Sequence, residues 1–372
     1  MKVLVLAPPM GAFGGIQRYT TTLLQALKEL VGEGNVRCLA MPDVGNSAGS
    51  SRASARSKLG FIVSALWAGM RWRADLVICA HLALGPIAWL LAKITLRPYW
   101  VFVYGIEAWA PLPFAKRRAL RRATRVIGIS KFTCEQVVKR QQVKAERISK
   151  LPCALNEELA TIEPASVGPH QLVGKGSRVV LTVARLASSE QYKGHDVILR
   201  ALPSVLQRVS DLTYVVVGDG DDRPRLEALA KELGLGQHVI FTGQVNDAEL
   251  AALYRRCDVF AMPAQTKITP QEAKGEGFGI VYLEAMAFGK PVIGPNDGAP
   301  AEIIADGKHG LLVNPEDPSA VAAALVDMLT HPDRARAMGQ AGSDWVRQQF
   351  SYVAFRERLK GILPEGLNAC AS

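Results

Sequence analysis

Two glutamates that are eight positions apart, Glu276 and Glu284, bracket the segment whose chemistry is easiest to recognise. Gly277 and Gly279 follow the first glutamate, permit a tight turn and let the backbone approach a bound group closely. From Ile280 onward the segment has helical character, so the free N–H groups at the helix start would face an anion. The two acids can flank one bound diphosphate, with Glu276 facing a sugar and Glu284 accepting hydrogen bonds from ribose hydroxyls. A helix entry with incidental acids explains the same residues equally well.

The elements that must position this segment form two series of alternating strands and helices. In the first half, a helix-period stretch at 17–30 separates apolar runs of strand length. Those runs cover residues 2–8, 35–41, 75–81, 99–105 and 123–130, and a second series covers 178–185, 212–220, 238–244, 258–264, 290–296 and 310–314. Strands that are buried on both faces and joined by crossover helices indicate parallel, doubly wound sheets. Ligands bind outside the carboxyl ends of such strands.

A stretch at 157–176, where Gly and Pro cluster, is interpreted as the linker between the two series. The pattern therefore predicts an α/β protein of two doubly wound, Rossmann-like domains facing each other across a cleft. The expected bounds are 1–165 for the first domain and 166–345 for the second. A helical segment at 346–372 is expected to return to the first domain.

The segment at 276–287 is similar to the Glu–Glu signature of glycosyltransferase family 4, the retaining enzymes of the two-domain GT-B fold. Other motifs of that family occur in the same order, so that the resemblance covers nearly the whole chain. They lie at residues 14–19, 128–131, 183–186, 192–194, 218–220 and 297–302. Each motif alone is weak, whereas their order and spacing make the match specific.

The resemblance implies a catalytic set of Glu276, Arg185 and Lys193. Breaking the bond between a sugar and a nucleoside diphosphate leaves an anionic diphosphate, which cationic side chains and helix termini stabilise without a divalent metal in a GT-B enzyme. Arg185 offers a planar fork of donors and Lys193 a point charge. Most Arg and Lys residues are ordinary surface cations, but both of these follow a predicted strand closely.

The expected donor-binding set spans both halves of the chain. It comprises Gly14, Gly15, Val245, Gly277, Phe278, Gly279, Ile280, Val281 and Glu284. A Gly-Gly pair after a strand is equally a tight strand-to-helix turn, so Gly14 and Gly15 are a weak signal alone. Arg18 either reaches the phosphates or lies at the surface, and the residues leave both open.

The expected acceptor-binding set is Tyr104, Gly105, Glu107 and His81. Family members often carry His-Gly-x-Glu or His-Gly-x-Asp where this chain has Tyr104-Gly105-Ile106-Glu107. Tyrosine forms hydrogen bonds but does not titrate near neutral pH, which puts a general base at this position in doubt. His81 is a second candidate, although a lone His at a strand end is more often structural.

An acidic pair, Asp219 and Asp221, superficially matches the motif of metal-dependent transferases. Because it lies in a Gly-Asp-Gly turn after a strand, we interpret it as turn chemistry. No metal site and no cofactor are predicted.

A basic block lies on a predicted helix beside Trp109, Leu112 and Phe114. Its predicted membrane-contacting residues are Lys116, Arg117, Arg118, Arg121 and Arg122. Residues 1–157 carry 23 Lys+Arg against 8 Asp+Glu, or +15, whereas the whole chain has a net charge of +10. Such a block suits an anionic bilayer surface, and a solvated helix face is the alternative. Nucleic acid is not expected, since no base-stacking motif or nucleic-acid module is present.

The remaining composition favours a cytoplasmic protein, with the basic block held to the inner face of the cytoplasmic membrane. The six cysteines are scattered without a C-x-x-C pair, which argues against zinc and against a disulfide framework. The N-terminal apolar run is interpreted as a buried strand instead of an export signal. The longest later apolar stretch, 82–96, is too short and too interrupted to span a bilayer.

These features together predict a retaining, metal-independent hexosyltransferase that uses a nucleotide-sugar and a glycan or lipid-linked acceptor, in cell-surface polysaccharide or glycolipid synthesis. A UDP-sugar is favoured, with GDP-mannose as the alternative donor. The competing hypotheses are a GT-B enzyme of another reaction class and a non-catalytic, membrane-surface carbohydrate-binding protein. An NAD-dependent oxidoreductase is disfavoured because the loop at 11–15 lacks the G-x-G-x-x-G pattern.

Overall fold

The computed structural model describes residues 1–11, 14–42, 51–165, 168–174 and 176–364, and for residues 51–58 and 172 the backbone alone. The chain forms two compact units, and its main crossings between them lie at 154/155 and 351/352, while the short segment 269–272 also groups with the first unit. The sequence pattern places those boundaries at 165/166 and 345/346. Residues 365–372 of the predicted C-terminal segment lie outside the described residues.

The first unit is built on a six-stranded parallel sheet in the order β2-β1-β3-β4-β5-β6. Its strands are β1 (Val3–Ala7), β2 (Val36–Ala40), β3 (Leu76–Cys79), β4 (Tyr99–Val103), β5 (Arg125–Gly128) and β6 (Ile148–Lys150). All five residues of β1 are fully buried, because β2 and β3 flank it and helices cover both faces. The short strand β6 carries a lysine and no apolar run, and the sequence pattern misses it.

Helices connect these strands on both faces of the sheet. They are α1 (Gly15–Val31), α2 (Ser51–Trp72), α3 (Gly85–Thr95), α4 (Ile106–Trp109), α5 (Phe114–Arg122) and α6 (Lys131–Gln141). On one face α3 packs between α2 and α5. The approach of α2 and α3 depends on Gly69, where an added Cβ would lie 2.6 Å from Leu91 Cδ1.

The second unit contains another six-stranded parallel sheet, in the order β14-β13-β10-β7-β8-β9, and a two-stranded antiparallel hairpin. The strands are β7 (Arg178–Val183), β8 (Leu212–Val217), β9 (Val239–Gly243), β10 (Val259–Ala261), β11 (Lys267–Ile268), β12 (Ala273–Lys274), β13 (Val292–Pro295) and β14 (Gly310–Val313). The hairpin of β11 and β12 is too short to leave a sequence pattern. Two doubly wound parallel sheets confirm the predicted fold class.

The helices of the second unit again lie on both faces of its sheet. They are α7 (Glu157–Thr161), α8 (His195–Leu206), α9 (Arg223–Glu232), α10 (Asp247–Arg256), α11 (Ile280–Ala287), α12 (Pro318–Thr330) and α13 (Pro332–Phe350). On one face α8 packs against α9 and α12, whereas α11 packs against α13. This arrangement places the start of α11 at the carboxyl edge of the sheet.

The last helix, α14 (Tyr352–Ile362), belongs to the first unit. Phe355 packs edge-on against Tyr19 of α1, with ring centroids 5.5 Å apart. Arg356 of α14 also lies 3.3 Å from the Glu29 carboxylate of α1. Helix α14, from the far end of the chain, therefore packs against α1 as part of the first unit.

Candidate functional site

The start of α11 is shaped by a glycine that no other residue could replace without strain. Gly279 has φ +94°, and an added Cβ would lie 2.5 Å from the Tyr282 ring. The residue before it, Phe278, is buried and packs edge-on against Phe350 at 5.9 Å. This local packing holds the backbone in position, so the first-turn N–H groups of the half-exposed residues Ile280 and Val281 lie at the carboxyl edge of the sheet.

Lys193 and Glu276 meet at the same edge. Lys193 Nζ lies 3.0 Å from Glu276 Oε2 and 3.8 Å from Glu190 Oε2. Arg185 pairs with the other oxygen of Glu190. Two cations and two carboxylates thus form one network that brings the three predicted catalytic residues together.

The lysine is positioned by an unusual backbone turn between β7 and α8. Gly194 has φ +81°, and an added Cβ would lie 2.3 Å from the Pro263 carbonyl oxygen, just beyond β10. Only glycine allows the chain to pass so close to the neighbouring strand end. The turn directs Lys193 inward, where its side chain is 14% exposed, whereas the Arg185 side chain is 78% exposed.

The electrostatics of Lys193 reflect two opposing effects. Burial would lower the pKa of Lys193, but the carboxylates of Glu276 and Glu190 outweigh it and raise the pKa. Lys193 therefore stays charged at neutral pH although it is largely withdrawn from water. A charged lysine that is held by carboxylates suits exchange with a phosphate.

The second glutamate of the signature is buried deeper than the first. Glu284 is 3% exposed, and the Tyr254 hydroxyl donates to its Oε2 at 3.0 Å. The Tyr254 ring is fully buried and stacks on Phe288 at 5.2 Å. Glu284 is thus fixed by an aromatic partner that lies 30 positions earlier in the chain.

The remaining predicted donor-binding residues lie at strand ends in both units. Val245 is half-exposed in the loop between β9 and α10. Gly14 and Gly15 begin α1 after β1, and an added Cβ on Gly15 would meet no atom within 4 Å. Packing within the chain therefore does not require glycine at position 15.

In the first unit, the predicted acceptor residues are bonded to the backbone of their own chain. The Tyr104 hydroxyl donates to the Ala80 carbonyl at 2.8 Å, and the residue is buried. The Tyr104 hydroxyl thus donates its proton within the chain, and its contact with an acceptor stays a prediction. Gly105 has φ +149° and turns the chain into α4, so that Glu107 Oε1 accepts the Tyr104 N–H at 2.5 Å. Burial raises the pKa of Glu107.

His81 lies half-buried after β3 and has a defined tautomer. Its Nδ1 accepts the Ala83 N–H at 3.1 Å, so the ring proton belongs on Nε2. Burial lowers the pKa of His81, and the nearby charge of Lys116 lowers it further. His81 is therefore a neutral hydrogen-bond donor at the carboxyl edge of the first sheet.

The five basic residues of α5 do not share one environment. Arg117, Arg118 and Arg122 are exposed, whereas Lys116 is half-buried, and its charge lowers the pKa of His81. Arg121 Nε donates to the Gln141 carbonyl at 2.7 Å and so caps the end of α6. Among these residues, Arg121 is held by a backbone carbonyl of α6, whereas Arg118 stacks on the Trp89 ring at 5.3 Å.

The carboxylates of the acidic turn after β8 accept hydrogen bonds from other residues of the chain. Asp221 accepts the N–H of Ser188 at 2.8 Å and its hydroxyl at 2.5 Å, and the pKa of Asp221 is lowered by these bonds. Asp219 accepts the Gly220 N–H at 2.9 Å. Within the described ranges, no three His, Cys, Asp or Glu side chains are grouped closely enough to hold a metal ion.

Both halves of the chain match known families. Residues 13–159 match Glycosyltransferase Family 4, and residues 169–345 match Glycosyl transferases group 1. The GDP-mannose-dependent alpha-(1-6)-phosphatidylinositol monomannoside mannosyltransferase of Mycolicibacterium smegmatis is 35% identical over 287 residues, which cover 75% of this chain and 72% of that protein. The chain belongs to glycosyltransferase family 4. The resemblance that its motifs indicate is confirmed.

Other similar proteins agree with this family 4 assignment. The mannosyltransferase of the same description from Mycobacterium tuberculosis H37Rv is 40% identical over 182 residues, 49% of this chain and 47% of that protein. Anabaena HepE, solved in complex with UDP, has a TM-score of 0.77 at 19% identity and covers 97% of this chain and 99% of its own. Sucrose-phosphate synthase of Thermosynechococcus elongatus has a TM-score of 0.77 at 22% identity, with 97% and 98% coverage. The solved structures confirm the GT-B fold class for this family 4 enzyme.

Two residues of this glycosyltransferase site are missed by the sequence interpretation. Glu190 pairs with both predicted phosphate-binding cations, and Tyr254 holds Glu284. Glu190 could have been predicted, because it lies three positions before Lys193, a spacing at which side chains of opposite charge can pair. Tyr254 leaves no local signal, because its contact with Glu284 depends on the packing of α10 against the sheet.

In the part of this family 4 protein that the structure describes, none of the helices is both long and apolar enough to cross a membrane. None of the described cysteines, Cys38, Cys79, Cys134, Cys153 and Cys257, forms a disulfide bond.

Proposed function

We propose that the chain is a retaining, metal-independent mannosyltransferase that moves mannose from GDP-mannose to a lipid-linked glycan acceptor. The observation that carries the proposal is the contact of Lys193 with Glu276 beside the start of α11. A cation, a carboxylate and a helix terminus at one strand edge suit a sugar diphosphate better than an uncharged ligand.

The proposed chemistry starts with exchange of ionic partners. Arg185 and Lys193 are paired with carboxylates, and a bound diphosphate would replace those carboxylates as their partner. As the glycosidic bond breaks, the two cations and the α11 N–H groups stabilise the charge that develops on the departing diphosphate. Glu276, released from Lys193, then faces the sugar hydroxyls.

Retention of configuration places the acceptor hydroxyl on the same face of the sugar as the leaving group. The departing diphosphate then accepts the proton of that hydroxyl, and no titrating side chain is needed at Tyr104. This fits an edge of the first sheet where Tyr104 is buried and His81 is a neutral donor. We propose that Glu107 and His81 contact the acceptor and that Tyr104 and Gly105 shape its site.

The donor is assigned from the relatives. The residue pattern favours a UDP-sugar, but the M. smegmatis relative, which is aligned over 75% of this chain, is named as GDP-mannose-dependent. That name also describes a phosphatidylinositol monomannoside acceptor, which supports a lipid-linked acceptor here. A lipid acceptor places the enzyme at the cytoplasmic face of a membrane, in glycolipid synthesis.

The test is calorimetric titration of the purified protein with GDP and with UDP in buffer that contains EDTA, followed by transfer from labelled GDP-mannose to extracted glycolipid. We expect GDP to bind at least tenfold more tightly than UDP, and an α-linked product by NMR. Tighter binding of UDP would overturn the donor assignment, and a β-linked product would overturn retention. Donor binding without turnover would favour the non-catalytic carbohydrate-binding alternative.

A further inference from the structure

Over residues 59–72, where its side chains are described, helix α2 has two apolar faces, and the protein covers one of them. Phe61, Ala65 and Ala68 face inward and are buried in the core of the first unit. The opposite face carries a second apolar stripe at helical spacing, and all of its residues are exposed. The stripe consists of Leu59, Val63, Trp67 and Met70.

The neighbouring helices extend this surface. On α3, which packs against α2, Leu90 and Ile94 are exposed one turn apart. Leu96, at the end of α3, adopts a left-handed conformation with φ +55° and is 88% exposed. A bulky residue is unfavourable in that conformation, and neither packing nor local hydrogen bonding explains a leucine there. Phe114, at the start of α5, is exposed as well.

The same three helices are strongly basic. Residues 51–125 contain 13 Lys and Arg against 2 Asp and Glu, and α2, α3 and α5 contain no acid. Among the described side chains of these helices, the exposed cations are Arg71, Lys93, Arg117, Arg118 and Arg122. Arg118 lies over the Trp89 ring at 5.3 Å, which joins α5 to α3. Apolar side chains and cations therefore alternate on one helical layer.

We infer that this layer, with the α2 stripe as its centre, is a docking surface that inserts apolar side chains into an anionic lipid bilayer. Large apolar side chains between cations are the composition of interfacial helices. A second copy of the chain is a poorer partner, because two such surfaces would bring like charges together, whereas anionic headgroups are complementary. The inference rests on the proposed function only for the lipid nature of the acceptor.

The inference differs in a measurable way from binding by the α5 cations alone. Contacts between exposed charges weaken steeply as salt screens them, whereas burial of apolar surface does not. A stripe that inserts must therefore leave a salt-resistant part of the affinity. That part should depend on α2 side chains that carry no charge.

The experiment measures co-sedimentation of the full chain with vesicles of phosphatidylcholine and 30% phosphatidylglycerol, at low salt and at 0.5 M salt. The triple variant Leu59→Ser, Val63→Ser and Trp67→Ser should lose about tenfold or more in affinity at both salt concentrations. Val353→Ser on α14 is the matched control, since Val353 is 61% exposed and Val63 is 58% exposed. The control should bind as wild type. Equal losses in both variants, or no loss in the triple variant, would overturn the inference.

The fluorescence of Trp67 supplies a second readout, which can be measured on the wild-type protein. All six tryptophans lie in the described chain, and Trp67 alone among them is an exposed side chain. Its emission should shift to the blue with vesicles and be quenched by brominated acyl chains. Trp67→Phe should abolish both effects. Unchanged quenching in that variant would show that other residues insert.

Two further measurements separate this inference from its competitors. Sedimentation velocity of wild type and of the triple variant tests a second copy as the occupant, and a dimer that the variant abolishes would overturn bilayer docking. GDP binding, measured without vesicles, should be the same in both proteins. If GDP binds and vesicles do not, the surface is wrong and the proposed function stands. If vesicles bind and no sugar nucleotide does, the docking surface stands and the proposed function is wrong.

Discussion

At the carboxyl edges of the two sheets, the polar side chains have different kinds of bonding partner. In the second unit, Lys193, Glu276 and Glu190 are bonded to one another through side chains alone. In the first unit, Tyr104 and His81 are bonded to backbone groups of neighbouring residues. One edge holds charges whose partners can be exchanged, and the other holds polar groups that are already fixed.

This difference explains why the donor chemistry can be assigned to single residues and the acceptor chemistry less sharply. A side-chain ion pair is exchanged for a ligand at small structural cost, because both partners rotate. A hydroxyl that donates to a buried carbonyl cannot turn to a ligand without leaving that carbonyl unsatisfied. On the proposed function, we expect the first unit to recognise its acceptor mainly by shape and by the donors that remain, such as His81 Nε2.

The largest expected effect comes from breaking the exchangeable network. Lys193→Ala and Glu276→Gln should each lower kcat by about a hundredfold or more, on the scale of losing one oriented stabilising group. The matched control is the exposed pair of Lys267 and Glu316, whose atoms lie 3.1 Å apart in the same unit. Lys267→Ala and Glu316→Gln should leave kcat within twofold. Steady-state transfer rates decide, and equal losses in both pairs would remove the assigned site.

The two glycine positions give the next largest contrast. Gly279→Ala should destabilise the protein by about 1–3 kcal/mol, because φ is positive and the Tyr282 ring occupies the space of the methyl group. Gly15→Ala should leave the melting temperature unchanged, since an added Cβ there meets no neighbour. It should instead raise KM for the donor. Thermal melts and donor kinetics on both variants would show which glycine serves folding and which serves binding.

The pH dependence of donor binding tests what keeps Lys193 charged. In the wild type its pKa is raised, so the lysine keeps its charge as pH rises from 7 to 9. In the variant Glu190→Gln with Glu276→Gln, the carboxylates are gone and burial lowers the pKa. The variant should therefore lose GDP affinity with rising pH, by about tenfold relative to wild type at pH 9. Parallel pH profiles from calorimetry would contradict the assigned balance of burial and charge.

The smallest expected effect is in the first unit. Tyr104→Phe should destabilise the protein by about 1 kcal/mol, because the Ala80 carbonyl loses its donor. The KM for acceptor should change less than twofold, whereas Glu107→Gln should raise it. Denaturant melts and acceptor kinetics test both statements. A large rise of acceptor KM in Tyr104→Phe would return that hydroxyl to the acceptor site.

The strand pattern could be predicted because apolar runs of strand length are local features. The run at 178–185 corresponds to β7 and the run at 290–296 contains β13. The residues flanking Gly279 were also recognised, since the turn and the helix start are contiguous in the chain. By contrast, β6 and the hairpin of β11 and β12 are too short to show a period of two.

Side-chain environment could not be predicted in the same way. The residues Lys116, Arg117, Arg118, Arg121 and Arg122 form one basic block in the sequence, yet Arg121 caps α6 and the charge of Lys116 lowers the pKa of His81. Likewise Leu59 and Phe61 are both apolar residues of α2, but one is exposed and the other is buried. A helix with two apolar faces does not show by its composition which face the core covers.

The α/β class, the family and the residues at the start of α11 can be predicted from the amino-acid sequence, because they depend on local periodicity and on short motifs. Which polar side chains contact one another depends instead on the folded chain. The contacts of Lys193 with Glu276 and of Tyr254 with Glu284 join residues 83 and 30 positions apart. Contacts over such separations arise from the order of strands in a sheet and the packing of helices on it, and these are properties of the whole folded unit.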